Sequence, residues 1–192
     1  MTDAVHSIVR ADQELFLWLN GLHTPWLDSV MNCITYKYTW IPLYILLIAL
    51  TIRAEGWKKG GLIVIAVVLA VVAADKITSG LMKPYFLRLR PCHDPSIRIV
   101  MHHVTDCGGM YGFASSHAST SFALAIAWFS LLRRKVPQMG FLFLWAVVYA
   151  YSRVYVGVHY PLDILVGALV GLLVGYSFVQ LYYIFLKRYY HS

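Results

Sequence analysis

The sequence predicts an all-α integral membrane bundle of about five transmembrane helices, preceded by an amphipathic interfacial helix. Three observations predict it. Only 13% of the residues are charged, half the usual share of a soluble domain, while 59% are hydrophobic. The apolar residues collect into runs near the ~20 residues that cross a bilayer core. The basic residues sit in short clusters between those runs, as topology determinants do, so the net charge of +7 does not point to nucleic acid.

The first element is Thr2 to Leu22. Val5, Ile8, Val9, Leu15, Phe16, Leu19 and Leu22 recur at helical spacing, while Asp3, Arg10, Asp12 and Glu14 interrupt the apolar content. Such a helix lies on a membrane instead of crossing it. It is not a signal peptide, because its start lacks positive charge and acids break the apolar stretch. Five spans follow. They run from Trp26 to Ile52 (interrupted by Tyr36-Lys37-Tyr38), Gly61 to Met82, Phe113 to Leu132, Val136 to Tyr155 and Pro161 to Leu186. No repeat, linker or low-complexity segment divides them, so residues 1–192 read as one domain.

Orientation follows from the connecting segments. Arg53, Lys58 and Lys59, then Arg133-Arg134-Lys135, then Lys187-Arg188 fall on one side of a five-span chain. The positive-inside rule makes that side cytoplasmic and turns the remaining loops outward. Those outward loops nevertheless hold Lys83, Arg88, Arg90, Arg98 and Arg153. Cations kept on the wrong side call for chemistry.

The outward stretches 83–117 and 152–163 supply cations, His117, His159, Asp163 and small residues at a helix start. That set suits phosphoryl transfer. Arg binds phosphoryl oxygens in a bidentate fork and Lys acts as a point charge. Amides of Ser115, Ser116 and His117 at the head of a span would bind an anion. Two histidines can serve as nucleophile and proton donor. Asp163, four residues after His159 with Pro161 in the first turn, can reach back to the ring.

On these residues the sequence resembles the type 2 phosphatidic acid phosphatase (PAP2) superfamily of membrane lipid phosphatases and their haloperoxidase relatives. The signatures are K-x6-R-P, P-S-G-H and S-R-x5-H-x3-D. Lys83 to Arg90-Pro91 matches the first, and Ser152-Arg153, His159 and Asp163 match the third. In the second, Ser115 and His117 agree, while Ala114 and Ser116 replace the proline and glycine. The resemblance implies that His159 forms a phosphohistidine, Asp163 orients it and His117 protonates the leaving oxygen. It implies that Lys83, Arg90, Arg153, Ser115 and Ser116 hold the phosphoryl group, with no metal and no cofactor. It also implies a lipid phosphate as substrate and the bacterial inner membrane as location, where the charge pattern turns the site outward. Undecaprenyl diphosphate is the first choice of substrate, by analogy with small bacterial members. Phosphatidylglycerol phosphate, phosphatidate, lipid A and phosphotransfer are alternatives. A transporter or channel is the alternative of another class, against which the charges gather at one face and no inverted repeat is visible.

The remaining residues read more plainly. Arg88 and Arg98 are expected to be solvated or to face headgroups, and Asp75 and Lys76 to snorkel or pair locally, with support of Lys83 two turns on as the alternative. His93, Asp94, His102, His103 and Asp106 match no metal template and read as a solvated loop. Cys92 and Cys107 bracket that loop on the oxidising side and are expected to pair, leaving Cys33 free in the first span. Gly167, Gly171 and Gly175 form a small-residue stripe for packing inside the bundle.

Overall fold

The structure, a computed structural model, describes residues 3–190. Met1, Thr2, His191 and Ser192 lie outside the described residues, so the expected first helix is seen from Asp3 onward. In α1 (Asp3–Asn20), Asp12, Phe16 and Asn20 follow one another at four-residue spacing and are buried. Val5, Ile8 and Leu15, with Leu22 just beyond the helix, remain exposed. Of the apolar side chains expected to meet the bilayer, these four are outward, Val9 and Leu19 are half-buried, and Phe16 belongs instead to a second stripe that docks on protein. Phe16 meets the Tyr160 ring edge-on at 5.3 Å. The Asn20 amide donates to the carbonyls of His102, Val154 and Tyr155 and accepts from the His102 amide. Two polar residues that dilute the helix's apolar content are thus its anchors.

The expected first span, Trp26 to Ile52, is corrected into three pieces. These are α2 (Pro25–Thr35), a 3-10 turn (Lys37–Trp40) and the start of α3 (Ile41–Asp75). Tyr36 leaves the helix at φ −77° and ψ 118°. Thr39 Oγ1 and Trp40 Nε1 donate to the carbonyls of Cys33 and Ile34, which satisfies the end of α2 and makes the break stable. Cys33 is a free, exposed thiol on α2.

α3 is folded back on itself. Gly56 has φ 76° and ψ 168°, a conformation open to glycine. A Cβ on Gly60 would lie 3.1 Å from Ile52 Cα, so residues 57–75 return beside residues 41–55. The second arm continues through a π-helical stretch (Lys76–Met82) into α4 (Lys83–Phe86). After a long loop come α5 (Ser116–Leu132), α6 (Phe141–Tyr155) and α7 (Pro161–Tyr190). The two arms of α3 and these three helices occupy the places of the five expected spans. By length and composition, 37–86 and 161–188 are apolar enough to cross a membrane, and Ser116–Leu132 is a shorter apolar helix.

The bundle is built around α5. Cβ atoms on Gly167 and Gly175 would stand 2.5 Å from the Ser115 carbonyl and 2.6 Å from that of Ala123, so the stripe lets α7 lie directly on the α5 backbone. Trp128 Nε1 donates to Thr51 Oγ1 at 2.9 Å, fixing α5 to the first arm of α3 in a buried position. Lys135 reaches Glu55 at 3.0 Å and the Ala54 carbonyl at 2.9 Å. The Gly56 turn and the α5–α6 connector therefore share one end, as the charge pattern requires. The 87–115 loop and the α6–α7 connector share the other.

Candidate active site

At that second end the Ser115 amide donates to the Asp163 carbonyl at 2.9 Å. This bond joins the head of α5, which carries His117, to the head of α7, which His159 immediately precedes. Arg153 comes in from the last turn of α6, Lys83 from α4 and Arg90 from the loop after it. The sequence-predicted residues are thus brought to one end of the bundle.

His159 is fully buried, and its Nδ1 lies 3.3 Å from Asp163 Oδ2. The four-residue spacing and the start of α7 at Pro161 set this approach. Asp163 Oδ2 also accepts the Tyr160 amide at 3.0 Å, so the carboxylate caps its own helix while it faces the ring. Burial, and then the positive charges of Arg90 and Arg153, hold the pKa of His159 well below the ordinary imidazole value. Gly112 covers the pair with bare backbone. A Cβ there would stand 2.9 Å from Asp163 Oδ2 and 3.4 Å from His159 Nδ1.

Each cation has its own support. Arg90 donates from Nη1 to the Cys107 carbonyl at 2.9 Å and from Nε to the Tyr111 carbonyl at 3.3 Å. Its burial lowers its pKa, an effect the nearby Asp163 charge opposes. Cys107 is bonded to Cys92, as expected, with the two Cα atoms 6.1 Å apart. Arg153 donates from Nη1 to Thr35 Oγ1 at 2.6 Å, while its buried Nε has no partner among the described residues. Lys83 donates to Ser116 Oγ at 2.9 Å. Ser116 shares a hydrogen with Ser79 at 2.7 Å, and Ser79 donates to Asp75 at 3.1 Å. The hydroxyl that replaces the motif's glycine therefore ties Lys83 to the π-helical stretch, and Asp75 supports Lys83 instead of pairing only locally.

Three expectations change here. The Ser115 amide is committed to Asp163, so it is not free for an anion; its buried Oγ, without a partner among the described residues, is the group left over. Arg88 is neither solvated nor turned to headgroups: it bridges Asp163 at 2.9 Å and Asp12 at 2.6 Å. Arg98 is exposed, as expected. The loop that follows is tied down instead of free. Asp94 accepts from Tyr160 at 2.8 Å, and His102 Nε2 meets Asp28 at 2.9 Å.

His117 opens onto a cavity of about 670 Å³ between α3, α5 and α6. Ser116, Asp75, Lys76 and Lys37 are among its polar lining, and Val67, Leu124, Trp128 and Trp145 among the apolar side chains that make up most of its wall. The His117 ring lies 5.3 Å from that of Tyr149, which also lines the cavity. The arrangement can hold an anion between cations while an apolar chain extends toward the bundle interior.

The family model described as "PAP2 superfamily" matches residues 62–187. A lipid A 4'-phosphatase from Bacteroides thetaiotaomicron is 35% identical, over 87% of this chain and 75% of its own length. An undecaprenyl-diphosphatase from Sulfolobus acidocaldarius is 31% identical, over 88% of this chain and 77% of its own. The crystal structure of a transmembrane PAP2-type phosphatidylglycerolphosphate phosphatase from Bacillus subtilis superimposes with a TM-score of 0.70, covering 98% of this chain and 90% of that one at 24% identity.

Proposed function

Since the chain belongs to the PAP2 superfamily, a family of membrane phosphoric-ester hydrolases, we propose that it removes phosphate from a lipid A-type phosphate through a phosphohistidine on His159. The observation that carries the mechanism is the junction of the α5 and α7 heads, which sets His117, His159 and Asp163 among Lys83, Arg90 and Arg153. With Asp163 accepting from Nδ1–H, His159 keeps Nε2 as a lone pair. That lone pair attacks phosphorus, the bond to the lipid oxygen breaks, and the leaving oxygen takes a proton from His117. Water then gives its proton to His117 and attacks phosphorus, the N–P bond breaks, and phosphate leaves. Charge on the phosphoryl oxygens is met by Lys83, Arg90 and Arg153, with Ser115 Oγ, the Arg153 Nε and the Ser116 amide. The first two of these last three groups are buried and have no hydrogen-bond partner among the described residues.

The apolar length of the cavity beside His117 suits a hydrocarbon tail, which would enter sideways from the bilayer. The basic clusters at the opposite end support a reading in which the site faces outward from a bacterial inner membrane. Lipid A precedes undecaprenyl diphosphate because the relative so named is the more similar of the two, 35% against 31%. Undecaprenyl diphosphate, first by analogy from sequence, stands second. Transport is disfavoured because the site's charged residues gather at one end instead of lining a path through the bundle.

A panel of lipid A, undecaprenyl diphosphate, phosphatidylglycerol phosphate and phosphatidate on purified protein tests this reading. Phosphate release fastest from lipid A supports it. Fastest release from undecaprenyl diphosphate reverses the substrate order, and no release from any of the four by folded protein overturns the phosphatase reading.

A further inference from the structure

Asp163 is a fully buried carboxylate, and its immediate partner His159 is a neutral ring as the mechanism needs it. A buried negative charge without a cation is costly, so it either finds one or takes up a proton. Oδ2 is committed to His159 and the Tyr160 amide; Oδ1 accepts Arg88 Nη1 at 2.9 Å. Of the arginines around the site, Arg88 is the one that holds Asp163.

Arg88 is itself held on three sides. Its Nη2 donates to Asp12 Oδ2 at 2.6 Å, and its guanidinium lies 4.3 Å from the Tyr160 ring centroid. Asp12 is buried, and its second oxygen accepts the Leu162 amide at 2.9 Å, at the head of α7. Helix α1 thus delivers a carboxylate that touches both Arg88 and the backbone beside Asp163. Two residues along the chain, Arg90 points instead to the Cys107 and Tyr111 carbonyls. The two arginines divide the work between carboxylate and anion site.

Resting on the proposed function, we infer that Arg88 and Asp12 are positioning residues of the hydrolysis: α1, through Asp12, holds Arg88 on Asp163, which keeps Asp163 ionised and His159 aimed at phosphorus. Asp12 also restrains Arg88 from turning into the anion site as a further cation. The effect belongs to the chemical step and not to substrate capture.

Steady-state kinetics on purified protein with the best substrate of the panel separates these cases, with thermal unfolding run alongside. Losing a charge-assisted hydrogen bond lowers kcat by about tenfold to a hundredfold. Arg88→Gln should fall at the upper end and Arg88→Lys and Asp12→Asn nearer the lower, each with KM within about twofold of wild type. Partial rescue by Lys is expected because one ammonium replaces the charge but not the two-carboxylate fork. The double variant Asp12→Asn with Arg88→Gln should be no worse than Arg88→Gln alone, since Asp12 acts through Arg88. Arg10→Ala, on the exposed face of α1, should leave kcat unchanged. Wild-type kcat in Arg88→Gln, a raised KM with kcat retained, or additive losses in the double variant would each overturn the inference. If Arg88→Gln does not fold, kcat in Arg88→Lys and Asp12→Asn decides it alone. Full activity in His159→Ala would instead remove the underlying mechanism, leaving the two failures distinguishable.

Discussion

His159 Nδ1 and Asp163 Oδ2 face each other across 3.3 Å, with the two side chains 1% and 0% exposed, so the ring's orientation is set where water cannot compete. Asp163→Asn keeps the volume but offers an amide in place of the accepting oxygen. It should invert the ring's preferred tautomer and lower kcat by about 10³–10⁴ with little change in fold. Turnover by the purified variant checks this, and a loss under tenfold would separate Asp163 from the chemistry.

Acid should destabilise the protein through His159. Its folded-state pKa is held well below that of the unfolded chain, near 6.5. Above about pH 6.5 the ring is neutral in both states and contributes no pH dependence. Below it the unfolded chain binds a proton that the folded one refuses, so stability falls as pH falls. Between pH 7 and pH 5 the melting temperature of wild type should drop more steeply than that of His159→Asn. Parallel curves would show that His159 is not held neutral.

The Cys92–Cys107 bond supports Arg90 as well as the loop, because the Cys107 carbonyl accepts from Arg90 Nη1 at 2.9 Å. Closing a loop of 15 residues stabilises by up to about 3 kcal/mol through the unfolded chain. Reduction should raise the thiol count from one to three, lower the melting temperature and raise KM several-fold with a smaller effect on kcat. Unchanged KM after full reduction would detach the bridge from the anion site.

Gly112 is placed where a side chain cannot go. Gly112→Ala would bring a methyl group within 2.9 Å of Asp163 Oδ2 and 3.4 Å of His159 Nδ1. The pair must separate or the loop must lift, and kcat should fall at least tenfold while the bundle still folds. Wild-type kcat in this variant would show that the loop gives way without disturbing the ring.

The spans were readable because hydrocarbon thickness imposes a run length that few other folds need. The division at Tyr36 was not, since Tyr36-Lys37-Tyr38 reads equally as an interfacial anchor within a span. His159 and Asp163 were readable because a four-residue spacing across a helix start at Pro161 fixes their approach. Arg88 was not: its partners Asp12 and Asp163 stand 76 and 75 residues away, and only the docking of α1 brings them together. An acidic residue breaking an apolar stripe, as Asp12 does, was the one signal that α1 docks through its polar side. Gly112 gave none, because close backbone approach leaves no mark in composition.

Rapid quenching of the enzyme with lipid labelled at its scissile phosphate tests the central claim most directly. The expected result is transient label on His159 as an acid-labile, alkali-stable phosphoramidate, with no label and turnover reduced by several orders of magnitude in folded His159→Ala. Wild-type turnover in that variant, or label on any other residue, would contradict it.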